Sequence, residues 1–462
     1  MMNAPFDIAA DLDTPVSAFR KLAPFGPHFL LESVEGGERL GRYSFIGFGV
    51  ATSLRMQGDE LELNGERRPV PSDRAGVLDV FREAMALAPV LKPEVPGLPF
   101  SGGLVGAASY DLVRRFEPVS DDGMPSDAPP DVLFTAPESV LAFDHLTRRV
   151  ALLHAGSEDA RQALRGQVIE ALRGPDPGPR RKGTVGPATP SFEEADFLEA
   201  VAKVKGHITA GDVFQLVLSI RMEGACTLDP FEVYRALRLL NPSPYMVYVE
   251  MGETAVVGSS PEALVKLAGD TATLRPIAGT RKRGASPAED RVLEADLMAD
   301  EKETAEHVML VDLARNDLGR VAKPGTVEVK PYRTIERYSH VMHTVSGVEG
   351  KIAEGVDAFD LFAATFPAGT VVGAPKVKAM QIIDTLEPSP RGIYAGTVGY
   401  FGHGGGMDQA IAIRTLVFEG GRYSYQAGAG IVADSVPQNE HRECHAKAAA
   451  LGAALRLAEE GL

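Results

Sequence analysis

Short apolar runs separated by glycine and polar residues dominate the first 150 residues of the chain. This spacing is typical of β-strands joined by turns. Strands are predicted at residues 42–48, 132–134 and 140–143. A helical pattern at residues 77–87 interrupts them. The N-terminal third is therefore expected to be mainly strand.

From residue 191 onward, helical and strand patterns come in uneven blocks. Ser191 and Glu194 have the spacing of a capping box, which predicts a helix from there to about residue 208. Further helices are predicted at residues 288–317, 357–364, 376–387 and 439–459. Strands are predicted at residues 213–220, 246–251, 255–258, 264–267, 396–400, 409–417 and 422–426. Because the two types do not alternate strictly, an α+β fold with largely antiparallel sheets is favoured over a doubly wound one.

The segment at residues 154–190 ends in a stretch that is dense in proline, glycine and basic residues. Such a composition is typical of a connector, here a surface loop after a short helix. We therefore predict an N-terminal domain at 1–153, a connector at 154–190 and a second domain at 191–462.

Composition narrows the class of protein. The 462 residues are 44% hydrophobic and 24% charged, a globular balance, and the net charge of −16 argues against nucleic acid or an anionic membrane as the main partner. The two cysteines, Cys226 and Cys444, form neither a zinc motif nor an expected disulfide. No apolar run is long enough to span a membrane, and the N-terminus is acidic. We expect a soluble, cytoplasmic protein.

Two predicted helices carry carboxylates at helical spacing. Glu303 and Glu306 lie three residues apart, and Glu440, Glu443 and Lys447 share a face of the last helix. Most such pairs are solvated, but apolar residues follow both pairs. Two unit charges 4 Å apart repel by about 4 kcal/mol at an effective dielectric of about 20, so buried carboxylates need a cation. Oxygen ligands without a cysteine or histidine cluster favour Mg²⁺.

Three glycine-rich segments, at 275–284, 366–376 and 426–435, offer backbone donors in what we interpret as turns. None has a nucleotide-binding fingerprint. Arg414 lies in a predicted buried strand, where its partner would be either a structural carboxylate or a substrate carboxylate. His343 is a core histidine or an acid–base group, with His340 as the competing histidine.

Taken together, these segments resemble the chorismate-utilising enzymes, and among them the large subunits of anthranilate synthases. The resemblance runs through nearly the whole chain except the connector. It implies an α+β fold with two packed, largely antiparallel sheets surrounded by helices. The matching motifs include FLLES, GRYSFIG, GDVFQLVLS, NPSPYM, GSSPEALV, RPIAGTRKRG, EKETAEHVMLVDLARNDLGR, HVMHTVSG, FPAGTVVGAPK, RGIYAGTVGY, DQAIAIRT and QAGAGIVADSVPQNEHRECHAKA.

The resemblance also implies a role for each site residue. Direct Mg²⁺ ligands are expected at Glu306 and Glu443, and water-mediated contacts at Glu303 and Glu440. The catalytic residues are expected to be Glu262, as the general acid for the leaving C4 hydroxyl, His343, in the loss of pyruvate, and Thr370. Substrate binding is expected from Tyr394 and Arg414, at the enolpyruvyl carboxylate, and from Gly279, Thr280, Gly428, Ala429, Gly430 and Lys447.

Two positions bear on the product. Isochorismate and salicylate synthases carry a lysine base where this chain has Gln215, and aminodeoxychorismate synthases a nucleophilic lysine where it has Ala278. Neither an amide nor a methyl group serves those roles, so anthranilate and pyruvate, formed from chorismate and ammonia, are the expected products. The alternatives are an aminodeoxychorismate synthase and a non-catalytic tryptophan-sensing subunit.

The resemblance further implies a partner subunit and an inhibitor site. Neither cysteine lies in a nucleophile-elbow context, so ammonia is expected from a separate glutamine amidotransferase subunit, in a heterodimer or heterotetramer. Tryptophan is expected as an allosteric feedback inhibitor. The residues expected to line its pocket are Ser33, Arg42, Pro244, Tyr245 and Met246.

Overall fold

The computed structural model describes residues 5–33, 41–120, 124–125, 128–179, 181–337 and 341–462. Its strands in the N-terminal half are β1 (Ile8–Ala9), β2 (Pro27–Glu32), β3 (Tyr43–Gln57), β4 (Glu60–Leu63), β5 (Glu66–Pro69), β6 (Gly103–Ala108), β7 (Val132–Asp144), β8 (Arg149–His154), β9 (Thr189–Pro190) and β10 (Gln215–Ala225).

The later strands are β11 (Tyr245–Met251), β12 (Thr254–Ser260), β13 (Ala263–Ala268), β14 (Thr271–Leu274), β15 (Ile277–Lys282), β16 (Glu328–Val329), β17 (Thr334–Arg337), β18 (Val341–Val345), β19 (Val348–Lys351), β20 (Gly373–Ala374), β21 (Thr397–Gly402), β22 (Met407–Ile411), β23 (Thr415–Glu419) and β24 (Arg422–Ile431).

The α-helices are α1 (Pro15–Lys21), α2 (Arg74–Leu87), α3 (Glu158–Arg173), α4 (Glu194–Ala210), α5 (Pro230–Leu240), α6 (Pro287–Ala299), α7 (Glu301–Gly319), α8 (Ala358–Thr365), α9 (Lys376–Leu386) and α10 (Pro437–Glu460). Short 3₁₀ turns occupy Ala23–Phe25, Tyr110–Arg115 and Gly369–Val371. Among the described residues, no helix combines the length and apolarity that a membrane crossing requires.

Among the described residues, 21 strands join in one hydrogen-bonded sheet and β15, β18 and β17 form a small second one. The expected α+β class with antiparallel sheets is confirmed, since strand pairs such as β10–β24, β3–β7 and β15–β18 are all antiparallel. Pairs β2–β11 and β6–β21 cross the predicted domain boundary, so the N-terminal strands share a sheet with the later ones. The division into domains stays a prediction.

The apolar core consists of two clusters. The larger one lies between the sheet and the helices, and includes side chains of α2, α4, α5 and α8. The smaller one is built from strands and loops alone, around Phe29, Phe100, Val249 and Val398. A cluster without helical residues forms where two faces of a curved sheet pack against each other. The sheet therefore folds over itself and carries its helices on the outside.

Three local predictions were wrong. The helix predicted at 288–317 is divided into α6 and α7, because Asp300 has extended backbone angles and its side chain accepts a hydrogen bond from the Glu303 N–H. Ser191 forms no capping box with Glu194, because its hydroxyl accepts the N–H of Arg221 instead. The strand predicted at 409–417 is interrupted at residues 412–414, between β22 and β23.

The division at Asp300 can be tested by substitution. Asp300→Ala removes the cap of α7 and is expected to cost about 1 kcal/mol of stability. Asp300→Asn keeps an oxygen that accepts the same N–H and is expected to cost less. Both variants lose the charge that Arg281 contacts, so their difference isolates the cap. Hydrogen exchange of the first turn of α7 and the Tm measure it, and equal values for both variants would contradict the cap.

Candidate active site

Carboxylates from α7 and α10 face a common space. Glu306 on α7 is half-buried, and its pKa is raised by burial and then by the charge of Glu303, while Gln215 and Lys447 oppose the shift. Lys447, on α10, donates from Nζ to Glu443 Oε1 at 2.8 Å. The charge of one lysine therefore acts on carboxylates of both helices, which brings together three of the residues predicted for this site.

The other two predicted metal residues have different surroundings. Glu303 lies 3.4 Å from the Arg281 guanidinium, which also binds Asp296 and Asp300. Glu440 is half-buried on the first turn of α10, and Glu443 is exposed. Burial of these carboxylates is therefore less complete than the apolar sequence around them predicts.

The donor set was tested against a hard cation. Within the described part of the chain, no three histidine, cysteine or acidic side chains converge at metal-binding distance. The chemistry of the set still fits Mg²⁺, because Glu306 and Glu443 supply carboxylate oxygens, which are the donors that this cation prefers. The four ligand assignments stay predictions.

Strand β24 and Tyr394 form the wall opposite these carboxylates. Gly428 and Gly430 lie within β24, not in the turn that the sequence predicts. A Cβ on Gly428 would lie 2.7 Å from the Tyr394 hydroxyl, and one on Gly430 would lie 2.5 Å from Gln215 Nε2. The glycines are therefore required by the close approach of two polar side chains. Ala429 between them is fully buried.

Lys447 contacts both this wall and the Glu443 carboxylate. Its Nζ donates to the Gly428 carbonyl at 3.0 Å, in addition to its contact with Glu443. Gln215, at the start of β10, is buried, and its Oε1 has no hydrogen-bond partner among the described residues. Its amide lies near Glu306 on one side and Gly430 on the other. The sequence singled out Gln215 for product choice but did not predict this bridging position.

Gly279, Thr280 and His343 meet across the small sheet. Gly279 has a φ of 70° at a bulge in β15, where the register with β18 shifts. His343 Nδ1 lies 3.0 Å from both the Gly279 carbonyl oxygen and the Thr280 hydroxyl. A carbonyl only accepts, so Nδ1 carries the proton in the neutral ring and the lone pair is on Nε2. The competing His340 lies outside the described residues.

Glu262 and Thr370 share a small cavity of about 40 Å³ beside Leu310 and Asp317 of α7. Glu262 is half-buried as a residue, and burial of its carboxyl raises the pKa of Glu262 to about 8. The Thr370 hydroxyl lies near enough to oppose the shift. It makes no hydrogen bond of normal geometry with any described residue. Glu262 is therefore largely protonated at neutral pH.

Arg414 is the last residue of the interruption between β22 and β23. It is half-buried and has a φ of 50°, so the prediction of a buried strand position was wrong. A positive φ is uncommon for a residue with a side chain and marks a local constraint. Its carbonyl accepts the Ser259 N–H at 3.1 Å. Ala395, next to Tyr394, also has a positive φ, of 63°. Both residues predicted for one substrate carboxylate thus lie at or beside unusual backbone positions.

All five residues predicted for the tryptophan pocket line one cavity of about 500 Å³. The Ser33 hydroxyl is buried there without a hydrogen-bond partner among the described residues. The wall also holds Asp408, whose pKa is raised by burial, with Lys266 Nζ 3.4 Å from its carboxylate. The lining residues are Leu31, Glu32, Ser33, Arg42, Tyr43, Phe45, Gly97, Pro99, Pro244, Tyr245, Met246, Val247, Pro261, Ala263, Lys266, Arg275, Ile277, Val398, Gly399, Tyr400 and Asp408.

The chain is similar to known proteins of one family. The family model described as chorismate binding enzyme matches residues 26–453. Anthranilate synthase component 1 of Thermus thermophilus is 46% identical, over 98% of this chain and 97% of that protein. The Pseudomonas putida protein of the same name is 45% identical, over 98% of this chain and 94% of its own.

Solved structures show the same fold. Anthranilate synthase component I from Streptococcus pneumoniae TIGR4 has a TM-score of 0.80 and 36% identity, over 89% of this chain and 92% of that one. The menaquinone-specific isochorismate synthase MenF from Escherichia coli has a TM-score of 0.70 at 20% identity, over 95% and 91% of the two chains, and shows the fold alone. The chain belongs to the chorismate-binding enzyme family.

The burial of Glu262 predicts a pH dependence of stability. A carboxyl whose pKa rises from 4.5 to about 8 on folding favours the folded state below pH 4.5 and loses that advantage as the pH rises to 8. Glu262→Gln cannot ionise, so its Tm relative to wild type should increase across this window. Thermal unfolding at several values between pH 5 and 8.5 measures the difference. A difference independent of pH would show that the carboxyl ionises normally in the fold.

Proposed function

We propose that this chain converts chorismate and ammonia to anthranilate and pyruvate, as the large subunit of an anthranilate synthase. The supporting observation is the wall formed by Tyr394, Gly428 and Gly430, which Lys447 links to the carboxylates of α7 and α10. It offers a hydroxyl, backbone groups and a cation to a small dicarboxylate. Relatives named anthranilate synthase component 1, matched over nearly their full length, support the same reaction.

Glu262 and His343 each have a protonation state that suits the step proposed for them. Protonated Glu262 donates its proton to the leaving C4 hydroxyl, for which a carboxyl with a pKa of about 8 still carries its proton at pH 7. His343, with its proton on Nδ1, accepts a ring proton at Nε2 when pyruvate leaves. Tyr394 and Arg414 orient the enolpyruvyl carboxylate. Glu306 and Glu443 would hold Mg²⁺, which would supply positive charge for the ring carboxylate.

Two side chains favour anthranilate over the other products of the family. Gln215 is buried between Glu306 and Gly430, and an amide there cannot take a proton from water. Ala278 is buried in β15, and its methyl group cannot attack the ring. Aminodeoxychorismate and isochorismate synthesis are therefore less favoured. The presence of the carboxylates and of His343 favours an enzyme over a non-catalytic sensing subunit.

We further propose that ammonia is supplied by a separate glutamine amidotransferase subunit. The names of the relatives, which are numbered as components, support a partner chain. Cys226 and Cys444 are both buried, and burial raises the pKa of each thiol, so neither is suited to attack glutamine. Buried thiols of this kind also suit a cytoplasmic location.

The decisive experiment is a fluorescence assay for anthranilate. The purified chain is mixed with chorismate, Mg²⁺ and ammonium at alkaline pH, which supplies free ammonia. Anthranilate should form, and EDTA should abolish it until Mg²⁺ is restored. Chorismate consumption without anthranilate would overturn the choice of product. Unchanged chorismate, even with a glutaminase partner, would favour the non-catalytic subunit.

We propose that the cavity of about 500 Å³ binds tryptophan as a feedback inhibitor. Its volume suits an indole side chain, and Asp408 with Arg42, Lys266 and Arg275 offers both signs of charge to an amino-acid zwitterion. The Ser33 hydroxyl, which has no partner among the residues that the structure describes, supplies a hydrogen bond to the ligand. The cavity lies beside β2 and β11, and neither Tyr394 nor Gly428 belongs to its lining.

Ser33→Ala is expected to raise the tryptophan concentration for half-inhibition by about threefold to tenfold, since one hydrogen bond contributes about 1 kcal/mol. The KM for chorismate without tryptophan should not change. Inhibition curves for anthranilate formation measure both. Unchanged inhibition in Ser33→Ala would place the inhibitor elsewhere, and a changed KM would show that the cavity serves the substrate.

A further inference from the structure

A buried ion pair lies behind the substrate wall. Arg391 and Glu387, both on the segment that follows α9, have side chains that are 1% and 4% exposed. Arg391 donates from Nε to Glu387 Oε2 at 2.9 Å and from Nη2 to Glu387 Oε1 at 2.7 Å. Arg391 begins the matched RGIYAGTVGY segment and Glu387 lies four residues before it, but no sequence pattern distinguished the pair from an ordinary surface pair.

The remaining donors of Arg391 bind the backbone of two site segments. Nη1 donates to the Val371 carbonyl at 2.7 Å, one residue after Thr370. Nη2 donates to the Val217 carbonyl at 2.8 Å, and Val217 is paired with Gly430 across the β10–β24 ladder. One guanidinium therefore connects the Thr370 turn to the strand that supports the glycine wall.

Glu387 fixes the neighbouring strand position. Its Oε1 accepts from the Ser219 N–H at 2.9 Å and from the Ser219 hydroxyl at 2.7 Å. Ser219 is paired with Gly428, and its hydroxyl accepts from Gln426 Nε2 at 2.7 Å. The Glu387 carboxylate thus holds β10 at the position opposite Gly428. Through the Ser219 hydroxyl and Gln426 it also holds β24.

The third contact is aromatic. The Arg391 guanidinium lies 5.6 Å from the centre of the Tyr394 ring and 4.8 Å from that of Tyr110. A cation over a ring face favours one ring position, and more strongly in a desolvated site. The Tyr394 hydroxyl then lies over Gly428 with no room for a Cβ between them. The ring that is predicted to bind the enolpyruvyl carboxylate is therefore positioned by a charge on its buried side.

We propose that Arg391 and Glu387 are positioning residues for the chorismate site, which fix Tyr394, the Gly428–Gly430 wall and the Thr370 turn relative to one another. The inference rests on the proposed function and assigns to it two residues that do not touch the substrate. A buried ion pair stabilises a fold little more than apolar residues of the same size would. Its value here is that a planar guanidinium with five donors serves three segments at once.

The test is Arg391→Lys, which keeps the charge but loses the fork that serves Glu387, Val371 and Val217. The KM for chorismate is expected to rise by about tenfold or more, with a smaller change in kcat, because Tyr394 and the glycine wall bind the substrate and the contact to Val371 reaches only the residue after Thr370. Arg161→Lys is the matched control. Arg161 is also buried and binds a carboxylate in its own helix, Glu158, and the Leu152 carbonyl, far in sequence from the site, so its KM should stay at the wild-type value.

A double-variant cycle separates positioning from loss of stability. Tyr394→Phe alone should also raise KM, and combining it with Arg391→Lys should raise KM no further than the larger single effect, since both act through one ring. Additive effects, or a KM like that of Arg161→Lys with only a lower Tm, would overturn the proposal. If Arg391→Lys does not fold, Ser219→Ala removes one contact to Glu387, and an unchanged KM there would overturn it equally.

Direct binding of chorismate, measured by calorimetry in the presence of Mg²⁺, distinguishes a failure of the proposed reaction from a failure of the positioning role. A wild-type chain that binds chorismate without making anthranilate refutes the proposed reaction, while weaker binding by Arg391→Lys still supports the positioning role. Equal binding by the two chains refutes the positioning role whatever the product. A wild-type chain that neither binds nor converts chorismate overturns both.

Discussion

The antiparallel ladder between β10 and β24 is the constraint on which the site depends. It pairs residues from Leu216 with Ile431 to Ala225 with Arg422 in unbroken register. Because side chains alternate along a strand, a shift of one residue would exchange every inward and outward position. The register places Gly428 opposite Ser219 and Gly430 opposite Val217, so that the glycine surface, the ion pair behind it and the polar end at Gln215 occupy fixed places.

Charge explains much of what surrounds that ladder. The chain is acidic overall, yet the substrate that we propose is an anion, so the site must supply its own positive potential. Lys447 and Arg281 lie among the carboxylates of α7 and α10 and partly neutralise them. Arg391 adds a buried cation behind Tyr394. Each of these cations has an acidic partner. The electrostatic potential in the site therefore depends on where the charged groups lie more than on the net charge of the chain.

The sequence predicted the helices and strands better than the points at which they are divided or interrupted. Long periodic helices such as α10 and apolar strands such as β11 were located because their patterns are set by local burial. The division at Asp300 depends on a cap and on Arg281, and the interruption at residues 412–414 depends on pairing with distant strands. The site residues came from the resemblance. The structure added the Arg391–Glu387 pair, because no spacing shows which carbonyls a buried arginine will reach.

The two cavities described above are separated by a wall one strand thick. Pro261 lines the larger cavity, Glu262 lines the small cavity beside Thr370, and Ala263 lines both. Because Ala263 belongs to both linings and Pro261 is the direct neighbour of Glu262, neither lining can be altered in isolation. A change of effector that involves Pro261, Glu262 or Ala263 would therefore be limited to substitutions that leave Glu262 able to act as the proton donor. Effector specificity can diversify more freely at the far wall, around Ser33 and Pro244.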